Sequence, residues 1–132
     1  MQRTALCRCG ACAIDVQGEP ISNLICHCTS CKRRSGAPCG WTATFRDNQV
    51  LERRGEFKIY HSSGSVGRVA NSFCAACGST LFFMPEDYPG VVGVAGGCFA
   101  DDPLGEPRLS ASDDQRCAWL HLPQGWETRN SQ

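Results

Sequence analysis

The sequence predicts a mainly β fold, and three observations carry that prediction. Short runs of apolar or β-branched residues recur between turn residues. The chain holds 14 glycines and 7 prolines, which interrupt any longer regular element. Only one segment, Thr29–Ser35, has helix punctuation, with Gly36 placed to end it and Pro38 just beyond.

The expected elements follow in order. Residues 11–16 alternate small or apolar side chains with others and stop at Gly18. Residues 21–25 form a second apolar run, and residues 40–45 and 56–60 read as further strands. The helix over Thr29–Ser35 is short and polar, with Thr29 as its expected N-cap. Residues 68–73 lead into Cys74, and residues 79–84 leave Cys77 and stop at Pro85. Val91–Ala95 precedes a Gly-Gly pair, and residues 118–122 are the last expected strand. Residues 99–116, rich in Asp and Pro, read as an extended loop.

A length of 132 residues fits one domain, 1–132, large enough to bury a real core. Thirteen basic and 13 acidic residues cancel, which argues against a nucleic-acid partner, because phosphate binding needs a basic excess or face. No run approaches the roughly 18 apolar residues of a membrane span. The first 12 residues contain no apolar core of a signal peptide, so a cytoplasmic location is expected, in keeping with reduced thiols. Oligomeric state is left open by this surface.

Eleven cysteines is a high count. A secreted disulfide scaffold is disfavoured by the odd number and the missing signal. Cys12, Cys39, Cys98 and Cys117 each stand alone and read as small buried apolar residues. The other seven follow a tight pattern, CxC-x16-CxCxxC-x42-CxxCG. Zinc takes four ligands in a tetrahedron, and thiolates are among its best donors. Cys9-Gly10 and Cys77-Gly78 each place a glycine where a tight turn can aim backbone N–H groups at sulfur. Cys7, Cys9, Cys74 and Cys77 therefore pair into one closed, structural site, with two unrelated thiol pairs as the alternative. Cys26, Cys28 and Cys31 supply three ligands and leave a fourth position for water or substrate, the arrangement of a catalytic zinc. An empty or redox-prone thiol cluster is the other reading of those three.

Several flanking residues carry expectations of their own. Zinc with three thiolates has a net charge of −1, which the run Lys32-Arg33-Arg34 could offset. A solvated surface face is the plainer reading of that run. His27 lies between two ligands whose side chains alternate, so it is expected beside the site or at the surface rather than on the metal. His61 and His121 read as non-catalytic. Trp41 is either a pocket wall or an ordinary core aromatic.

The assembled pattern resembles the glutathione-dependent formaldehyde-activating enzymes, also called the centromere-protein-V-like family. The matching stretches are Cys7-Arg8-Cys9-Gly10-Ala11, Cys26-His27-Cys28-Thr29-Ser30-Cys31-Lys32-Arg33 with Ser35-Gly36, Trp41, Phe73-Cys74-Ala75-Ala76-Cys77-Gly78-Ser79 with Leu81, and Asp102-Pro103. They span about residues 5–123. The resemblance implies an Mss4-like, β-tent fold of short bent sheets over two zinc ions. The residues matching Cys7, Cys9, Cys74 and Cys77 hold the structural zinc, and those matching Cys26, Cys28 and Cys31 hold the catalytic-type one. It also implies a carbon–sulfur lyase that joins glutathione and formaldehyde as S-(hydroxymethyl)glutathione. Cys12, Gly97-Cys98-Phe99 and residues 110–117 depart from the family's usual pattern, which bears on the pocket walls and not on the metal ligands.

The expected chemistry is addition of a glutathione-type thiol to a small aldehyde, with Lys32, Arg33, Arg34 or Arg46 receiving the thiol's carboxylates. The rival reading is a non-catalytic, zinc-stabilised protein-binding domain. A methionine sulfoxide reductase, which shares the β-tent fold, fits poorly. It needs two CxxC knuckles and a separate reactive cysteine, whereas this chain has one CxxCG.

Overall fold

The computed structural model describes residues 1–64 and 67–131. Eleven strands form two sheets among these residues. The smaller sheet has the order β1 (Gln2–Leu6), β2 (Ala13–Gln17) and β5 (Val50–Arg54), all antiparallel. The larger runs β11 (Glu127–Arg129), β10 (Leu109–Ala111), β3 (Ser22–Cys26), β4 (Gly40–Arg46), β9 (Val91–Ala95), β8 (Thr80–Pro85), β7 (Gly67–Cys74) and β6 (Phe57–Gly64). It is an open sheet, antiparallel except where β10 pairs parallel with β3 and β11. The mainly β expectation holds, and α1 (Thr29–Ser35) is the one α-helix among the described residues.

Strand alternation explains the core. Along β4, Ala43 and Phe45 are fully buried, while Thr42 and Thr44 face the other side. Val92 and Val94 of β9 join them from the adjacent strand. Ala5, Ile14 and Val16 come from the small sheet, so one core unites both sheets. Phe99, from the 3-10 turn Gly96–Phe99, closes it with its ring centroid 6.1 Å from that of Phe45.

The helix has the expected bounds but a different cap. Cys28, not Thr29, occupies the N-cap, and its sulfur accepts the Cys31 N–H at 3.4 Å. A sulfur acceptor here takes the place of the usual cap hydroxyl and satisfies one of the free N–H groups of the first turn. Gly36 ends the helix with φ 65° and donates to the Lys32 carbonyl at 2.8 Å.

Three expectations need correction. Residues 118–122 form no strand; they pass through a turn that leaves Trp119 66% exposed. Ala-Trp-Leu-His-Leu pairs with no strand; it lies between β10 and β11, which pair with each other and extend the sheet beyond β3. Residues 99–116 are not a plain loop, since they contain β10 and the 3-10 turn Asp113–Gln115. Strands β1 and β5 were not anticipated at all. Both carry charged residues, and β5 is an edge strand exposed along most of its length.

Candidate metal centres

The first centre lies where the two sheets meet. Cys7 follows β1 in the small sheet, and Cys74 is the last residue of β7 in the large one. Turns at Gly10 (φ 80°) and Gly78 (φ 78°) curl each chain back so that Cys9 and Cys77 join them. The Gly10 N–H donates to the Cys7 carbonyl at 3.1 Å, and the Gly78 N–H to the Cys74 carbonyl at 2.8 Å. The two knuckles are thus built alike, as the sequence implied.

All four sulfurs lie within 4.8 Å of one another. Cys9 Sγ is 3.7 Å from both Cys7 Sγ and Cys74 Sγ. A tetrahedron with metal–sulfur bonds of about 2.3 Å has sulfur–sulfur edges of about 3.8 Å, so the donor set fits such an ion. Backbone N–H groups already face the sulfurs. Cys12 donates to Cys7 at 3.2 Å, and Ala76 and Cys77 both donate to Cys74 at 3.4 Å. The Cys77 N–H lowers the Cys74 pKa. The Ser79 hydroxyl and N–H lower that of Cys77 to about 5. Cys9 is drawn down by the Ala11 N–H, but hydrogen bonding with Cys7 and Cys77 prevails and lifts it to about 12. The cluster is arranged to carry some thiolates and some thiols until an ion replaces the remaining protons.

The second centre sits on the large sheet. Cys26 ends β3 opposite Gly40, Cys28 caps α1, and Cys31 lies in its first turn. Their sulfurs also fall within 4.8 Å of one another, and all three residues are half-buried. No histidine or carboxylate completes this group among the described residues. Contact with Cys31 lowers the Cys26 pKa to about 5, helped by the Cys28 N–H and by Ser112. Cys31 itself is pushed far up by the same contact.

Acid should empty both centres. The Cys26 and Cys77 thiols lie below their ordinary 9.0 in the fold. Their preference for the folded thiolate is complete above about 9, shrinks as pH falls and is gone below about 5. Bound metal, measured by elemental mass spectrometry after dialysis across pH 4 to 8, is therefore expected to fall as pH drops across this range. Full retention at pH 4 would contradict the proton competition.

His27 proves to be neither a ligand nor a surface residue. It is fully buried, and its Nε2 is 2.8 Å from Ser110 Oγ. That hydroxyl donates to Asp113 Oδ1 at 2.8 Å, so the imidazole must donate from Nε2. Arg116 closes the chain with Nε 2.9 Å from the same carboxylate oxygen. Burial, outweighing the Asp113 charge, lowers the His27 pKa. This relay ties the Cys26–Cys28 segment to residues 110–116, and sequence reasoning missed every member except His27. Only tertiary pairing of β10 with β3 brings them together.

The basic run separates once folded. Lys32 Nζ donates to the Gln115 carbonyl at 2.6 Å. Arg33 is exposed, whereas Arg34 turns inward with its guanidinium carbon 4.3 Å above the Phe83 ring. Arg46, at the far end of β4 from Gly40, does not approach the second centre. Trp41 packs against the core, and its Nε1 donates to Asn23 Oδ1 at 2.7 Å. His61 pairs with Glu86 at the surface, and His121 is exposed. Cys12 is buried as expected, while Cys39, Cys98 and Cys117 are half-buried. Burial raises the Cys39 pKa, with the charges of Cys26 and Cys117 adding to it. Cys39 and Cys117 thus lie within electrostatic reach of the second centre. No helix among the described residues is long and apolar enough to cross a membrane.

Comparison with solved structures finds a crystal structure of a Rhodobacter sphaeroides protein at 24% identity. It covers 72% of this chain and 85% of that one, with a TM-score of 0.56, a likeness of fold alone. No curated protein matches the chain. The sequence profile described as glutathione-dependent formaldehyde-activating enzyme matches residues 2–115. That match takes in all seven clustered cysteines, and the chain belongs to this family.

Proposed function

We propose that the chain joins a glutathione-type thiol to a small aldehyde at Cys26, Cys28 and Cys31, with zinc held there. A second zinc at Cys7, Cys9, Cys74 and Cys77 is structural. The observation that carries this reading is the contrast between the two donor sets. Four sulfurs fill a tetrahedral shell, whereas three half-buried sulfurs leave one position open. Family membership adds the thiol and the aldehyde as substrates.

Zinc in the second centre would supply a site at which a thiol sheds its proton or a carbonyl oxygen is polarised. The chain's own residues do the rest. The relay from His27 to Arg116 and the Lys32 contact with Gln115 hold the ligand segment and residues 110–117 in fixed relation. Arg34 offers a guanidinium to a substrate carboxylate or oxyanion. In the reaction a sulfur–carbon bond forms, the carbonyl π pair moves to oxygen, and the proton lost by the thiol ends there.

The test is exchange between formaldehyde hydrate and its glutathione adduct, followed by NMR with and without enzyme. Cys31→Ser is expected to lower the enzymatic exchange rate about 100-fold or more and to halve the zinc content from about two ions per chain. Unchanged exchange in a folded Cys31→Ser protein would sink the proposal.

A further inference from the structure

The outer face of the large sheet carries a groove of about 330 Å³. Thr42, Thr44, Val69, Phe83, Tyr88 and Val91 line it, and Gly93 forms part of its floor. The groove exists because alternation sends Ala43, Phe45, Val92 and Val94 into the core and leaves this face uncovered. Gly93 is needed for its shape. A Cβ there would lie 2.5 Å from Phe83 Cε2, so the bare backbone lets the phenyl ring lie across the sheet.

The groove and the second metal centre share one face of β4, on which Gly40, Thr42 and Thr44 follow one another. Phe83 lines the groove, and Arg34 covers that ring at 4.3 Å. A Cβ on Gly40 would be 2.6 Å from Arg34 Nη2 and 3.1 Å from Cys31 Cβ, so Arg34 and Cys31 crowd the same glycine. The line from Cys31 through Arg34 to Phe83 therefore connects a sulfur cluster, a cation and an apolar surface. Among the described residues no carboxylate lies within salt-bridge distance of Arg34. Formaldehyde has no body to fill such a groove.

We infer that the aldehyde used by this chain is a longer aliphatic or aromatic one, its apolar body in the groove and its carbonyl beside Arg34. This rests on the thiol–aldehyde reading above, keeps its thiol and its reaction, and replaces the small aldehyde with a longer one as the preferred substrate. The thiolate sulfur adds to the carbonyl carbon, and the π pair becomes an oxyanion. Arg34 hydrogen-bonds that oxygen as its charge grows, and the proton shed by the thiol completes the hydroxyl. No oxidant or reductant is involved.

Two measurements on the metal-loaded protein test this. The first titrates acetate and hexanoate, unreactive carboxylates that share a head group, and follows backbone amides by NMR. Hexanoate is expected to bind about tenfold tighter or more and to shift Thr42, Thr44 and Gly93. Thr44→Phe, an outward position that fills the groove without touching the core, should erase the difference. Arg34→Gln should weaken both ligands about equally while keeping their ratio. The second measurement compares kcat/KM for hexanal and formaldehyde with glutathione as the thiol, and hexanal should be favoured about tenfold.

Equal affinity for acetate and hexanoate, or shifts confined to other residues, overturns the inference. Catalysed addition of glutathione to formaldehyde with no chain-length preference overturns the groove assignment and leaves the thiol–aldehyde reading standing. A chain-length preference in binding with no catalysed addition of any aldehyde overturns that reading, and with it the substrate assigned here.

Discussion

Cys74→Ser is expected to lower the melting temperature by about 10–20 °C and to blunt cooperative unfolding, and chelation of the unaltered chain should do the same. Cys74 is 1% exposed at the end of β7, and its sulfur is within 3.7 Å of that of Cys9. Cys7 and Cys9 belong to the turn between β1 and β2, in the other sheet. An ion at this centre would therefore fasten one sheet to the other, beside the core they share. With Cys74 replaced, three sulfurs would lack the fourth donor of their shell, and the Ala76 and Cys77 N–H groups would lose the sulfur they face. Cys31→Ser provides the contrast. It alters a centre on one face of the large sheet, so its melting temperature should fall by no more than about 3 °C. Circular dichroism melts of the two variants, each with its metal content, check the pair. Equal small losses would refute the structural role of the four-cysteine centre.

Phe45→Ala should cost about 3–5 kcal/mol, read as a fall in the urea midpoint at constant slope. Phe45 is fully buried, lies against Phe99 and is paired across the sheet with Val92, in the core cluster that also holds Ile14. The cavity left by the ring cannot close easily, because both sheets that line it are held in hydrogen-bonded register. Thr44→Ala, one residue away on the opposite face, is the control and should move stability by no more than about 0.5 kcal/mol. The comparison separates burial from strand propensity, since both substitutions place the same alanine in the same strand. A Phe45→Ala loss as small as that of Thr44→Ala would mean that the core is not where the alternation puts it.

Much of this arrangement was legible in the chain. The CxC and CxxC spacings alone brought seven cysteines into two groups, because short turns leave few ways to aim adjacent sulfurs. Helix α1 was legible from Gly36 and Pro38, and β9 from a β-branched run before paired glycines. Strands β1 and β5 were not, because their pairing with β2 depends on partners that charged sequences such as Val-Leu-Glu-Arg-Arg do not announce. Residues 118–122 failed the other way, since a short apolar run marks a strand only when the chain brings it to a pairing partner, and here β10 pairs with β11 instead. Ser110, Asp113 and Arg116 were hidden because ordinary polar residues acquire a role only once β10 docks beside β3. Arg34 could be named as a cation, but its seat on Phe83 depends on the missing side chain of Gly93.

The join between the sheets has a consequence that reaches outside the molecule. A fold fastened by a dissociable ion has no fixed stability of its own, because the ion's supply enters the equilibrium. Each tenfold fall in free metal, while the centre remains mostly filled, removes about 1.4 kcal/mol. The same chain would thus persist in a metal-replete compartment and be cleared by proteolysis in a depleted one, with no change in its synthesis. Its abundance would follow metal supply through folding alone, a dependence set by Cys7, Cys9, Cys74 and Cys77 rather than by any regulatory segment.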